Sequence, residues 1–442
     1  MVKVGLISVG FEKFRMDIAQ KYLTKSIEII EKMEAKVISN EVIINSLDQL
    51  KQIQESIINE VDMIVIQIGT FSMGEMVIEL IEMTKDLPVF LWGFKDPIVN
   101  DFNTIPLNSL TGLNMFTSYL KRYDKTFSYA YDDFESELSH MKLHNMIRAI
   151  GAQKQLRKSK FGVIGTRAPG FYLSEVNHIS FKKNVGPTIE YYSIGELVKQ
   201  AENFPHDLVE KKLNEKFKDT TLRGLRIQLE KNVRVFLAIE ELVKKEKLDA
   251  LTIKCWPEWQ SLYQISVCPV LSLLNDEGYM TSCEGDIAGL ATMYIQYLFT
   301  KKAPFFADLA TISDNRLKAW HCGHMPMSLC DSPIDLIEHP TMKDGIGVAI
   351  QADMITSNAI TLTKLSELNN DYRLFIATGK SIKPDRKLEG PQTDIVLDAS
   401  LEKTMDLIFT EGIEHHYSIA HQNISAELEE LSKWMKWKVI KV

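Results

Sequence analysis

The tetrapeptide Cys283-Glu284-Gly285-Asp286 sets two carboxylates at the mouth of an apolar stretch, IAGLATMYIQYLF, and a third carboxylate, Asp308, follows in the run FFAD. Glu284 and Asp286 are expected to open a helix. There the exposed N–H groups and the positive dipole end favour carboxylates, whether as caps or as part of a site. The helix is apolar nearly all round and should be buried on most sides, so a carboxylate at its mouth needs a partner, and a cation is the simplest one. Asp308 falls on an expected β-strand, where aromatic and aliphatic neighbours should shield it from water. Aspartate is depleted in strands and costly when buried alone, which leaves a structural hydrogen bond and a bound ion both open. Six of the ten histidines lie in the last third of the chain, among them His321 and His324 in WHCGHMP and the adjacent His415 and His416 in EHHYSIAH. Neighbours along a strand point to opposite faces, so one of the adjacent pair is expected to enter a given site. Carboxylates with imidazole suit Mn²⁺, Co²⁺ or Mg²⁺ better than a thiolate metal.

Those residues need a scaffold, and the chain supplies a pattern for one. Over the first 125 residues, strand-like runs (KVGLISVG, VDMIVIQIG, PVFLWGF) alternate with longer amphipathic stretches, as in parallel sheets with crossover helices. A second such unit begins at Lys158 with SKFGVIGTR, continues through TIEYYSI and DALTIKCW, and closes with a helix over 284–300. From about Pro304 the runs FFADLATI, RLKAWHC, GIGVAIQADM, AITLTKL, YRLFIATG and TDIVLDA follow closely, which suggests an antiparallel barrel or sandwich. The expected fold is α/β: two doubly wound parallel-sheet domains (1–157 and 158–303) and a C-terminal antiparallel β-barrel-like domain (304–442). Open parallel sheets bind ligands beyond the carboxyl ends of their strands. That rule selects four loops, Gly69-Thr70-Phe71, Arg167-Ala168-Pro169-Gly170, Trp256-Pro257-Glu258 and Cys283–Asp286. Within them, Arg167 reads either as a turn anchor or as an anion or hydroxyl clamp, and Glu258 either as a solvent-facing carboxylate or as a partner for a substrate hydroxyl.

Composition narrows the classes of function. A formal net charge of −8 without a long Lys/Arg run speaks against nucleic acid, and no apolar run approaches the roughly 20 residues needed to cross a bilayer. The N-terminus lacks a secretory pattern, and the five cysteines, an odd number, point to a reducing cytoplasm. All five lie between Cys255 and Cys330 without CxxC spacing, and they read as small buried side chains near an important region.

Taken together, CEGD before a Gly/Ala-containing apolar helix, FFAD, WHCG and a late GxxHH ending at His416 resemble the L-fucose isomerase and L-arabinose isomerase superfamily. The 24-residue step from Glu284 to Asp308 resembles the fucose branch, as do RAPGFY, LWGFKDP and NSLTGLN. The resemblance implies a sugar ketol-isomerase working through a cis-enediol(ate). It implies Mn²⁺, with Co²⁺ or Mg²⁺ as substitutes, held by Glu284, Asp308 and His416, the two carboxylates doubling as bases. His415, Glu258, Trp256 and Arg167 would then neighbour a monosaccharide, and His321 would be a metal ligand, as in the arabinose branch, or otherwise a polar neighbour of the substrate. Homo-oligomers, trimers or hexamers with the site at a subunit boundary, are also implied. The chain is shorter than typical members of either branch, which leaves the sugar open. An L-fucose or L-arabinose type is the first reading, and an anionic sugar such as sulfoquinovose, converted to sulfofructose, is the second. The second requires a basic clamp, for which Arg167, Lys95 and Arg122 are the candidates. A non-catalytic sugar-binding protein would have little use for both carboxylates and the histidine pair.

Overall fold

The computed structural model describes residues 1–99, 104–222, 224–331, 333–342 and 345–442. It contains two compact units, the first formed by Met1–Lys154 with Glu429–Lys436, the second by Gln155–Leu428 with Trp437–Val442.

In the first unit, β1 (Val2–Val9), β2 (Ala35–Ile44), β3 (Met63–Ile68), β4 (Val89–Phe94) and β5 (Phe127–Asp132) form a parallel sheet in the order β2-β1-β3-β4-β5. Its central strands are apolar at almost every position because both faces are covered. Val4 and Leu6 belong to one core with Phe90 and Trp92, while Ile7 and Val9 belong to another with Ile64 and Ile66.

The second unit carries β6 (Lys160–Ile164), β7 (Thr188–Tyr192), β8 (Thr220–Leu222), β9 (Ala250–Ile253) and β10 (Met280–Ser282), followed by the helix Ile287–Thr300. Four of these strands make a parallel sheet in the order β10-β9-β6-β7. Next come β11 (Phe305–Ser313), β12 (Arg316–Trp320), β13 (Ile334–Glu338), β14 (Val348–Gln351), β15 (Ser357–Leu368), β16 (Asp371–Ile382), β17 (Gln392–Leu397), β18 (His416–Ala420) and β19 (Lys438–Lys441). Strands β15-β18-β11-β12-β17-β16 are antiparallel neighbours, and β16 pairs back to β15, so six strands close a barrel; β19 adds to β16 in parallel. The run GIGVAIQADM, expected among these C-terminal strands, supplies β14 instead to a small sheet with β13 and β8. Its alternation is that of any half-buried strand, and alternation does not choose a partner.

A single apolar core runs from the second sheet into the barrel, including Ile253, Cys283, Phe305, Phe306, Tyr417 and Ile419. The helix Ile287–Thr300 is packed on nearly every side, as its composition predicts. Gln296, fully enclosed in that helix, donates to the carbonyls of Thr361 and Ser418 and accepts from the Ser418 hydroxyl, which fastens it to β15 and β18.

Across the β12–β17 ladder, Lys318 pairs with Asp394 at 2.5 Å, with both side chains nearly sealed from solvent. Removing one member of a buried pair leaves an uncompensated charge, at a cost of about 3–5 kcal/mol. Asp394→Ala should lower the unfolding free energy by about that amount in urea titration, whereas an unchanged midpoint would show that the pair does not hold the barrel.

Candidate active site

The carboxyl ends of β6, β9 and β10 meet the barrel strands β11 and β18 at one place. After β10 the chain turns sharply: Glu284 has φ of 62° and Gly285 of 71°, both left-handed. For a residue with a Cβ such as Glu284 this conformation is strained, which marks the position as one held by its surroundings. A Cβ on Gly285 would meet the Thr166 carbonyl at 2.4 Å and Arg167 Cα at 2.8 Å, so only glycine lets this turn press against the loop after β6. Two hydrogen bonds fasten the turn there, Ala168 N–H to the Glu284 carbonyl and Gly285 N–H to the Ile253 carbonyl. The helix begins at Ile287 rather than at Glu284, and Asp286 is its cap, accepting from Gly289 N–H at 2.7 Å. Glu284 is thus free of capping duty.

The closed barrel sets Asp308 on β11 opposite His416 on β18, a register that places both side chains on one face. His416 Nδ1 lies 3.0 Å from Asp286 Oδ2, and because a carboxylate can only accept, this nitrogen carries the proton. The ring is thereby aimed so that Nε2 faces Glu284 Oε2 at 3.2 Å and Asp308 Oδ1 at 3.8 Å. Although Glu284 Oε2 is close to the imidazole and buried, it makes no hydrogen bond. Two carboxylates and one imidazole nitrogen, converging with a buried oxygen unsatisfied and the far ring nitrogen tied to a carboxylate, fit a hard divalent cation.

Lys364 on β15 completes the arrangement. Its ammonium lies 3.3 Å from Asp286 Oδ2, and both groups are almost fully enclosed. Burial alone would raise the Asp286 pKa, but the Lys364 charge and the His416 hydrogen bond hold it well below the usual carboxylate range. Burial alone would lower the His416 pKa, but the hydrogen bond to Asp286 and the negative charges of Asp286 and Glu284 raise it to about 10.

The remaining candidates divide. His415 precedes β18 instead of lying within it, so the alternation expected of the histidine pair does not apply. His415 is exposed, yet one of its ring nitrogens lies within 4.8 Å of donor atoms of both Glu284 and His416. It also borders a cavity of about 320 Å³ lined by Gly170, Phe171, Tyr172, Leu173 and Ser174. Arg167 touches Tyr172, one of these lining residues, its guanidinium 4.5 Å from the ring and its Nε 3.1 Å from Glu175. His321 is sealed on the loop after β12, its ring 6.4 Å from that of His416. Trp256 lines a different cavity, of about 350 Å³, with Pro257, Gln260, Thr341 and Met342. Glu258 is engaged by Lys254 at 2.5 Å, which limits it as a free partner for substrate. Asp308 is not shielded as its apolar neighbours suggest, since its side chain is 32% exposed and opens the site to solvent. Lys364 and Lys254 were missed by sequence reasoning. The only signal for Lys364 is one lysine in the otherwise uncharged strand run AITLTKL.

No family model matches the chain. Curated relatives do align along its whole length. They are the sulfoquinovose isomerase of Priestia aryabhattai, 27% identical over 441 residues (97% of this chain, 96% of the relative), and those of Alkalicoccus urumqiensis, 25% identical (all of both chains), and Clostridium sp. (strain MSTE9), 24% identical (98% of each). Among solved structures, a solute-binding protein of an ABC transporter from Burkholderia multivorans covers 68% of the chain at 12% identity. Its TM-score of 0.18 carries no weight. These relatives, aligned along almost the whole chain, make the protein an enzyme, an isomerase.

With a folded pKa near 10 against an ordinary value of 6.5, His416 stabilises the cation-free protein fully below pH 6.5, and that contribution is lost as pH rises through 10. In a chelating buffer the unfolding free energy should therefore fall between pH 6.5 and 10, and His416→Gln should flatten that fall. An equal slope in the variant would assign it to other groups.

Proposed function

We propose that this protein interconverts sulfoquinovose and sulfofructose by proton transfer between C1 and C2 through a cis-enediolate, with a divalent cation of the Mn²⁺ class held by Glu284, Asp308 and His416. The observation that carries the isomerase chemistry is the convergence of Glu284 and Asp308 on His416 Nε2 while Asp286 fixes the opposite ring nitrogen. The names of the full-length relatives favour the sulfonated sugar over an L-fucose or L-arabinose type.

A bound divalent cation supplies polarisation of the sugar carbonyl and offsets the charge that develops on the enediolate oxygens. The chain's own residues do the rest. Glu284 and Asp308 flank the C1–C2 bond, and one carboxylate takes the proton from C2 of the aldose and returns it to C1. The other moves the hydroxyl proton from O2 to O1, so the ketose forms with no net change in protons. The strained turn at Glu284 keeps its carboxylate from swinging away, and Asp286 with Lys364 keeps His416 from rotating. His415, at the exposed side of the centre, orients sugar hydroxyls.

Arg167 is the basic group best placed for the sulfonate. Its guanidinium packs on Tyr172, which lines the cavity that His415 borders, and that contact holds the guanidinium plane. All three candidates have partners, Arg167 in Glu175, Lys95 in Asp132 and Asp133, and Arg122 in Ser118; what favours Arg167 is its contact with Tyr172. A homo-oligomer, trimer or hexamer, belongs to the same proposal and is open to light scattering.

Offered sulfoquinovose, L-fucose and L-arabinose with Mn²⁺, the enzyme should turn over sulfoquinovose fastest. In heavy water the product should carry solvent deuterium on C1. Glu284→Gln should reduce kcat by about 10²–10⁴-fold, the range for a lost acid–base group. Clean retention of the substrate hydrogen would point to a hydride shift and remove the base assignment. Arg167→Met should raise KM for sulfoquinovose roughly ten- to hundredfold, the loss of a charge-assisted hydrogen bond, and leave a 6-hydroxy analogue unaffected. An equal effect on both sugars would exclude Arg167 as the sulfonate clamp.

A further inference from the structure

Next to the carboxylate centre the second unit encloses a donor set of different chemistry. Cys283 stands directly before Glu284 at the end of β10, and His321 and His324 stand on the loop after β12. All three are sealed, none more than 1% exposed, and one donor atom from each lies within 4.8 Å of the other two. The rings of His321 and His324 are 4.2 Å apart, and Phe306 closes one side of both.

Neither ring nitrogen of His324 has a hydrogen-bond partner, although no part of the ring reaches solvent. A neutral imidazole offers one N–H and one lone pair, and buried polar atoms in folded proteins find partners for both. The enclosed ring therefore lacks a partner that the chain itself does not supply. Within 4.8 Å of one of its nitrogens lie a thiol and a second imidazole, a donor pair that a thiophilic ion satisfies and a carboxylate-seeking ion does not.

We propose that Cys283, His321 and His324 bind a Zn²⁺-class ion at a site separate from the cation centre of Glu284, Asp308 and His416. Around Zn²⁺, with bonds of about 2.0–2.3 Å, neighbouring donors stand about 3.3–3.6 Å apart, so side-chain movements of about 1 Å close the set. On binding, the Cys283 thiol proton passes to solvent and the sulfur becomes the ligand. The ion joins the end of the second parallel sheet to the barrel. It also sits one residue from Glu284, where it stiffens the left-handed turn. This inference depends on neither the identity of the sugar nor the isomerase chemistry.

The test uses the full-length protein, stripped with a chelator and reloaded with Co²⁺. Wild type should show a thiolate-to-cobalt charge-transfer band in the near ultraviolet that Zn²⁺ displaces and Mn²⁺ does not. After dialysis against zinc it should retain about one zinc per chain by plasma mass spectrometry. Cys283→Ser and His324→Gln should each abolish the band and the retained zinc, while Cys330→Ser, a thiol bonded elsewhere to the Pro326 carbonyl, should keep both. Absence of the band and of retained zinc in wild type would overturn the proposal whether or not the variants fold. Survival of the band in Cys283→Ser would overturn it as well.

Discussion

The Asp286 carboxylate is the point on which the second unit turns. It caps the helix Ile287–Thr300, receives the ammonium of Lys364 from β15, and accepts from His416 on β18. One buried anion thus joins the parallel sheet's last helix to two strands of the barrel. Taking such charges from water costs several kcal/mol each, and the cost is met only where each group finds both an opposite charge and hydrogen bonds. Here a cap N–H, an ammonium and an imidazole N–H surround one carboxylate. Any shift of helix against barrel would break all three together, so the interaction that stabilises this junction also orients the imidazole.

The same economy of parts governs the turn before it. Asp286 takes the capping role, which releases Glu284 to face His416. The release comes with strain: Glu284 is held in a left-handed conformation by the bonds from Ala168 and Gly285 and by the close approach that Gly285 allows. The oxygen-rich centre and the Cys283, His321 and His324 set are neighbours, with Phe306 against the rings of His321, His324 and His416. Hard and soft donors thus stand at adjacent positions of the chain, Glu284 and Cys283.

Parallel strands were legible in the sequence because a strand covered on both faces must be apolar along its length, and MIVIQI or VFLWGF has no other soluble use. The helix after CEGD was legible for the same reason, and Asp286 as a helix-start carboxylate followed from capping chemistry. Most of the barrel strands could be read from their closely spaced β-rich runs. The partner of each could not, since alternation marks a strand without naming its neighbour, and GIGVAIQADM went to a separate sheet.

What the sequence by itself determined is therefore local: which segments are strands or helices, and which carboxylates and histidines need a partner in them, Glu284, Asp308 and the His415–His416 pair, with His416 singled out only by the family resemblance. Only the tertiary structure decided that β11 and β18 bring Asp308 opposite His416, that His415 stands outside its strand, and that Lys364 reaches Asp286 from 78 residues away. The physical reason is that propensity, capping and periodicity act within about ten residues of chain. The site is held by charges and lone pairs that meet only when barrel closure and helix docking have both occurred.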